Sequence, residues 1–246
     1  MIVLDVAESV FGRIQIVQRR LSGSLMYIQG GCNQSEADWD GISLASYVHA
    51  LYGLIVEAGA SKVLIIGCGG GTLATMLSRA SRNVTMLDID PISFTLARKY
   101  FHLQSSVECH VTDGRSFLRS SGRIYDAIVL DAYNGDRIPD HLQSPSFFRL
   151  VRDHLSESGS LFANVHVEND TDQNANLIAA SMQKVWNKVR VLDALGALDR
   201  NAIVMAGSVS QLVAPSLLAR PAIDAIVIER ELSAMKFRPD DACLNH

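Results

Sequence analysis

The stretch Lys62-Val-Leu-Ile-Ile-Gly-Cys-Gly-Gly-Gly-Thr72 decides the fold. Val63 to Ile66 form an unbroken apolar run, mostly β-branched, too short for a helix and stopped by glycine. That is the pattern of a strand covered on both faces, as in a parallel sheet. Gly67, Gly69, Gly70 and Gly71 then turn the chain, and Thr72 onward has the spacing of an amphipathic helix. Glycine lacks a Cβ and tolerates positive φ, so this turn lets the backbone approach a ligand closely. The helix that follows aims its free N–H groups at the same place.

Working outward, Val84 to Leu87 make a second buried strand that ends in Asp88-Ile89-Asp90-Pro91. A carboxylate about twenty residues past the glycines, at a strand tip, can accept hydrogen bonds from both ribose hydroxyls of a nucleoside. Thr72 stands where a dinucleotide site would carry its third glycine, which favours an adenosyl ligand without a pyrophosphate. A purely structural tight turn is the competing reading. Past a third strand, Asp113-Gly114 can bond an exocyclic amine such as that of adenine, or cap the next short helix, or do both.

From Lys62 strand and helix alternate, with strands expected at 62–67, 84–88, 107–111, 125–131, 159–165, 188–193 and 201–206. Helices are expected at 71–80, 91–101, 145–155 and 172–187, with a short one near 114–119. This predicts an α/β fold, a doubly wound, mostly parallel seven-stranded sheet, its last two strands pairing as an antiparallel hairpin. Residues 1–41 read as a small N-terminal β-hairpin region and 42–246 as the nucleoside-binding catalytic domain. The polar stretch from Cys32 to Gly41 reads as loop, Ser43 as the N-cap of a helix to Glu57, and 209–219 as another helix.

Composition narrows the class. The chain has 246 residues, 48% of them hydrophobic and 20% charged, which suits a globular protein with ample core. A net charge of −4 without a basic stripe argues against nucleic acid as the main partner. Cys32, Cys68, Cys109 and Cys243 show no Cys-x-x-Cys pair, and the seven histidines lack ligand spacing, so no metal is expected. The N-terminus has no cleavable signal pattern and no apolar stretch approaches a membrane span, which points to a cytoplasmic location.

The whole pattern resembles the spermidine synthase (polyamine aminopropyltransferase) family, within the wider class of S-adenosylmethionine-dependent methyltransferase folds. The resemblance rests on Val63-Leu-Ile-Ile-Gly-Cys-Gly-Gly-Gly, Leu87-Asp-Ile-Asp-Pro, Ala97-Arg-Lys-Tyr-Phe, Asp113-Gly-Arg-Ser-Phe-Leu, Tyr125-Asp-Ala-Ile-Val-Leu-Asp-Ala-Tyr, Ile138-Pro-Asp-His-Leu and Phe147-Phe. It implies a sulfonium nucleoside co-substrate, S-adenosylmethionine or its decarboxylated form, a small-molecule amine acceptor and a homodimer. The nucleoside would be held by Gly67, Gly69, Gly70, Gly71, Asp88, Ile89, Asp113, Gly114 and Gln34. Asp131 would accept the amine's proton or orient its lone pair, with Tyr133 beside it, and Tyr47, Asn134 and Asp136 would line the acceptor site.

Departures from the family pattern matter as much. Its glycine loop usually carries an aspartate for the amine end of decarboxylated S-adenosylmethionine; Gly70 stands there, removing a charge that would repel a carboxylate and leaving room for one. The second carboxylate of the aspartate-rich loop falls on Asn134, with Asp136 two residues on, and an acidic residue expected after Tyr47 is His49. The chain is also shorter at its C-terminal end than the full-length enzymes and looks like a truncated, spermidine-synthase-like branch. An acidic rim of Asp131, Asp136, Asp140, Glu168 and Asp170 suits a cationic acceptor. The expected reaction is aminopropyl transfer to an amine. The alternatives are methyl or aminocarboxypropyl transfer from S-adenosylmethionine to a small molecule, and a non-catalytic adenosyl-binding or interaction protein.

Overall fold

The computed structural model describes residues 1–135 and 137–239. Strands β1 (Ile2–Ala7), β2 (Ile14–Gln18), β3 (Leu25–Gln29) and β4 (Cys32–Ala37) form an antiparallel sheet in that order. Alternation puts Ile14, Ile16, Tyr27 and Ala37 on one fully buried face, against Leu96 and Phe101. The stretch after Cys32 is therefore a strand, not the expected loop. Its polarity has a local cause: Ser35 reaches the glycine turn, where its Oγ accepts the Gly70 N–H at 3.0 Å.

The second sheet is built from α1 (Ser46–Glu57), β5 (Lys62–Ile66), α2 (Thr72–Arg79), β6 (Asn83–Asp88), α3 (Pro91–Tyr100), β7 (Glu108–Val111), α4 (Gly114–Ser120) and β8 (Tyr125–Leu130). A short 3₁₀ turn (Asp140–Leu142) precedes α5 (Pro145–Asp153), β9 (Leu155–Val167), α6 (Asn174–Gln183), β10 (Val189–Asp193), β11 (Arg200–Gly207), α7 (Ala225–Ala234) and β12 (Lys236–Phe237). The strand order is β12-β10-β11-β9-β8-β5-β6-β7. Pairings from β9 through β7 are parallel, while β11, β10 and β12 join antiparallel. The sheet thus has eight strands, the expected seven plus the two-residue edge at Lys236–Phe237.

The apolar run of β5 explains the layering. Val63 and Ile65 point into the core shared with α1, α2, α3 and α7; Leu64 and Ile66 point into the one shared with α4, α5 and α6. Helix starts are capped where the sequence supplies a cap: Asp90 Oδ1 accepts from Ile92 N, Asp113 Oδ1 from Ser116 N, and Ser144 Oγ from Phe147 N. Ser43 is not the cap expected of it. Helix α1 begins at Ser46 behind Ala45, and the Ser43 Oγ accepts the Ala45 N–H instead.

The helix expected at 209–219 is absent, and the chain there is irregular. The Arg190 guanidinium donates to the carbonyls of Val209 and Leu212, each at 2.7 Å, and Pro215 and Pro221 interrupt any helical ladder. The helix lies further on, at α7, which packs against α1 and leads into β12.

Candidate active site

The order of strand addition reverses between β5, followed by β6 and β7 on one side, and β8, followed by β9 on the other, all parallel. Open α/β sheets bind ligands at the carboxyl ends of such a pair. There Gly67 has φ of +108°, and a Cβ on it would stand 2.1 Å from the Asp131 carbonyl oxygen. The glycine brings the β5 turn and the end of β8 into direct backbone contact. Gly69, at φ +50°, lets β4 approach the turn, since a Cβ on it would stand 2.9 Å from Ser35 Oγ.

That space holds a cavity of about 400 Å³ bordered by Gly67, Asp88, Ile89, Asp113, Gly114 and Asp131. Gln34, from β4, borders it from the N-terminal sheet. Asp88 Oδ2 accepts the Cys68 N–H and Oδ1 the Asp90 N–H, both at 2.8 Å. Burial raises its carboxyl to about 6 despite those two backbone donors. The bonds fix the plane of the carboxylate and leave each oxygen a free lone pair for a ribose hydroxyl. Asp113 caps α4 and also meets His141 Nε2 at 2.7 Å. Burial pushes that carboxyl up, but the His141 and Ser116 bonds outweigh it and hold it below the usual range. Both readings of Asp113 remain compatible, because a carboxylate oxygen accepts more than one bond.

Gly70 and Gly71 border neither this cavity nor the next. A Cβ at Gly70 would lie 3.0 Å from Ser35 Cβ and 3.1 Å from the Phe101 ring. The room expected at this position is filled by the N-terminal sheet and α3. Gly71, at φ +66°, packs toward Ala97 and Leu103 and sets the start of α2.

A second cavity of about 750 Å³ opens beyond Asp131, and Tyr47 of α1 borders it. Its carboxylates are Glu36, Asp131, Asp199 and Glu231. Asp140, Glu168 and Asp170 of the anticipated rim do not line it; Asp170 is drawn to Arg200 at 2.9 Å. Asn134 borders the nucleoside-side cavity rather than this one, and Asp136 lies outside the described residues. His49 borders neither: it is buried, with Nε2 2.7 Å from the Ser43 carbonyl.

Asp131 and Tyr133 border both cavities. Asp131 Oδ1 accepts from Asn164 Nδ2 at 2.8 Å, and burial raises the carboxyl to about 6, a rise that the Asn164 bond only partly offsets. The side chain caps no turn. Tyr133 Oη donates to the Asn164 carbonyl and accepts the His166 N–H, both at 2.9 Å, which pins the ring between the cavities. Burial and the nearby Asp131 keep its hydroxyl and that of Tyr47 protonated. Asn164, Asn201 and His141 carry these arrangements; His141 lies in the quoted Ile138-Pro-Asp-His-Leu motif and Asn164 at the end of an expected strand, but the local pattern assigns none of the three a role. Only β9–β11 register, a long-range property, brings the first two together. Among the described residues no group of His, Cys, Asp and Glu is placed to hold a metal ion, and no helix is long and apolar enough to cross a membrane.

Comparison with known proteins follows the same lines. A polyamine aminopropyltransferase of Vibrio vulnificus is 36% identical over 121 residues, 46% of this chain and 40% of the relative. A probable polyamine aminopropyl transferase of Bifidobacterium longum is 33% identical over 138 residues, 55% of this chain and 31% of the relative. The matched part thus spans less than half of each of these relatives. Among solved structures, a probable spermidine synthase from Corynebacterium glutamicum superposes with TM-score 0.80 at 18% identity, covering 99% of this chain and 93% of that one. A spermidine synthase in complex with the transition-state analogue AdoDATO gives 0.66 at 20% identity, covering 94% and 88%. Human methyltransferase-like protein 13 in complex with SAH gives 0.52 at 19%, covering 82% and 95%. At these identities the three share the fold. The model of the spermine/spermidine synthase domain matches residues 47–194, the span that holds the glycine turn, Asp88, Asp113 and Asp131, and the chain belongs to that family.

Proposed function

We propose that the protein transfers an aminopropyl group from decarboxylated S-adenosylmethionine to an amine. The observation that carries this reading is the charge at the junction of the two cavities. Cys32, Gln34, Cys68, Gly69, Asp131, Tyr133 and Gly135 border both, and among the described residues Asp131 is the one carboxylate shared by the two, with no shared lysine, arginine or histidine. No lysine or arginine lines the nucleoside-side cavity among the described residues. The carboxylate of S-adenosylmethionine would find no lysine or arginine there, with His141 already paired to Asp113, and would face Asp131. A donor tail ending in ammonium would be drawn to the same group.

In this reading the adenosine lies over Gly67 and Gly69, its ribose on Asp88 and its base between Ile89 and Asp113. The acceptor amine enters from the larger cavity. Its nitrogen attacks the carbon next to sulfur; the C–N bond forms as the C–S bond breaks, and methylthioadenosine leaves as a neutral thioether. The nitrogen's surplus proton passes to Asp131. Much of the contribution of a carboxylate with this pKa is electrostatic, since it holds a cationic nitrogen in line with the sulfonium. Following the family resemblance, the protein works as a homodimer in the cytoplasm, with Cys32, Cys68 and Cys109 as free thiols.

The absence of the family's aspartate at Gly70 favours a second reading, methyl transfer from S-adenosylmethionine. Turnover separates the two. Incubation with decarboxylated donor and 1,4-diaminobutane is expected to release methylthioadenosine and a product heavier by one aminopropyl group. Adenosylhomocysteine formed from S-adenosylmethionine, with no reaction of the decarboxylated donor, would overturn the proposal.

A further inference from the structure

A polar chain runs from β11 through β9 to the end of β8. Asn201 Nδ2 donates to Asn164 Oδ1 at 2.9 Å, and Asn164 Nδ2 donates to Asp131 Oδ1 at 2.8 Å. Asn164 stands opposite Ile203 in the β9–β11 ladder and Asn201 opposite His166, so the asparagines are diagonal neighbours on one face. Asn164 is 2% exposed, so its amide cannot exchange these partners for solvent. The polarity of the chain is dictated from its end. An ionised Asp131 can only accept, so Asn164 must turn its NH₂ toward it and its oxygen toward a donor, which Asn201 supplies.

Left alone, a carboxylate at a strand end presents either oxygen. Here Oδ1 is occupied, while Oδ2 has no hydrogen-bond partner among the described residues and belongs to a side chain that borders both cavities. We propose that Asn164, held by Asn201, is a positioning residue that reserves Asp131 Oδ2 for the acceptor amine. This rests on the aminopropyl-transfer reading of the site.

Titratable groups that border the acceptor cavity with Asp131 come from every neighbouring element. They are Cys32 and Glu36 on β4, Tyr47 on α1, Cys68 in the glycine turn, Tyr133, His166 on β9, Asp199 and Arg200, and Glu231 on α7. Glu36 pairs with Arg19, His166 with Asp199, and Arg200 with Asp193. Burial pushes Cys68, Tyr47 and Tyr133 further toward their neutral forms. Asp88, also near 6, lies on the donor side and is removed from the comparison by saturating donor.

The test uses the full chain with Asn164→Leu, Asn201→Leu and Asn201→Ser, each checked for folding by its melting curve. With donor saturating, the acid limb of the kcat profile is expected to move up by about one pH unit in Asn164→Leu. Asn201→Leu should follow in the same direction, and Asn201→Ser, which keeps a hydroxyl donor, should return toward wild type. Donor affinity should stay within about two-fold. Carbon-13 NMR titration of the Asp131 carboxyl reads the same change without turnover. The experiment therefore decides the positioning role even if no amine reacts, a result that would count against the transfer reading alone. If Asn164→Leu fails to fold, the two Asn201 variants carry the comparison. Acid limbs and carboxyl titrations unchanged in the folded variants would overturn the proposal.

Discussion

Burial raises the Asp131 carboxyl to about 6 from an ordinary 3.8, so ionising it in the folded state costs stability. The sign follows from proton binding. Between about pH 4 and pH 6 the folded protein holds this proton more tightly than the unfolded chain, so stability falls as pH rises through that window. The full effect is about 3 kcal/mol, since each tenfold gain in proton affinity is worth about 1.4 kcal/mol. Asp131→Asn should therefore gain on wild type in calorimetric stability as pH climbs from about 4 to 7, while turnover is lost and affinity for the uncharged product methylthioadenosine stays within a few-fold. Stability curves that stay parallel across that range would show that no buried charge forms at Asp131. Glycines give the complementary prediction. Gly67→Ala sets a Cβ against the Asp131 carbonyl at an unfavourable φ and should cost more than about 3 kcal/mol. Gly70→Asp, which restores the family residue, should cost about 1–3 kcal/mol against Ser35 and Phe101 without improving donor binding; thermal melts and titrations check both.

At the scale of elements, the strand-turn-helix unit at β5 and α2 was legible because everything that defines it is local: four apolar residues, a glycine stop, a helical period. Asp88 and Asp113 were legible for the same reason, each sitting at the end of a readable strand. Strand β4 was not, because Gln34 and Ser35 are polar to suit the glycine turn and the cavities rather than the solvent. The helix at α7 was displaced in the reading because 209–219 has apolar spacing, yet its carbonyls are taken by Arg190. Local pattern also gave no hint of the clamp behind the acceptor cavity. The Arg200 Nε and Arg238 Nη2 atoms lie 2.7 and 2.5 Å from Asp193, whose side chain is fully buried. The clamp joins the loop at 194–200 to the segment after β12. Burial pushes the Asp193 carboxyl up, but the two guanidiniums outweigh it and hold it low, so its support is present above about pH 4 and lost in more acid solution. Asp193→Ala should cost about 3–5 kcal/mol, because it leaves Arg238 without a carboxylate partner and the buried Arg200 with only the exposed Asp170. It should also raise the acceptor KM more than the donor KM, which steady-state kinetics will show.

For the whole molecule, the topology divides the labour. Local motifs at one end of the parallel strands make the proposed nucleoside half. Segments far apart in sequence make the acceptor half: β4, α1, the loop at 194–200 and α7. This is why the proposed donor site rests on residues that stand out in a single chain and the proposed acceptor site does not. Among the described residues the two cavities share one carboxylate, Asp131, and no lysine or arginine, so the choice of donor reports that charge in one number. Calorimetric titration with S-adenosylmethionine and, separately, with its decarboxylated form measures that choice directly. The decarboxylated donor is expected to bind at least ten-fold tighter at pH 7.5, a difference of about 1.4 kcal/mol, shrinking as pH falls below about 6 and Asp131 takes up its proton. Tighter binding of S-adenosylmethionine would contradict the aminopropyl-transfer reading.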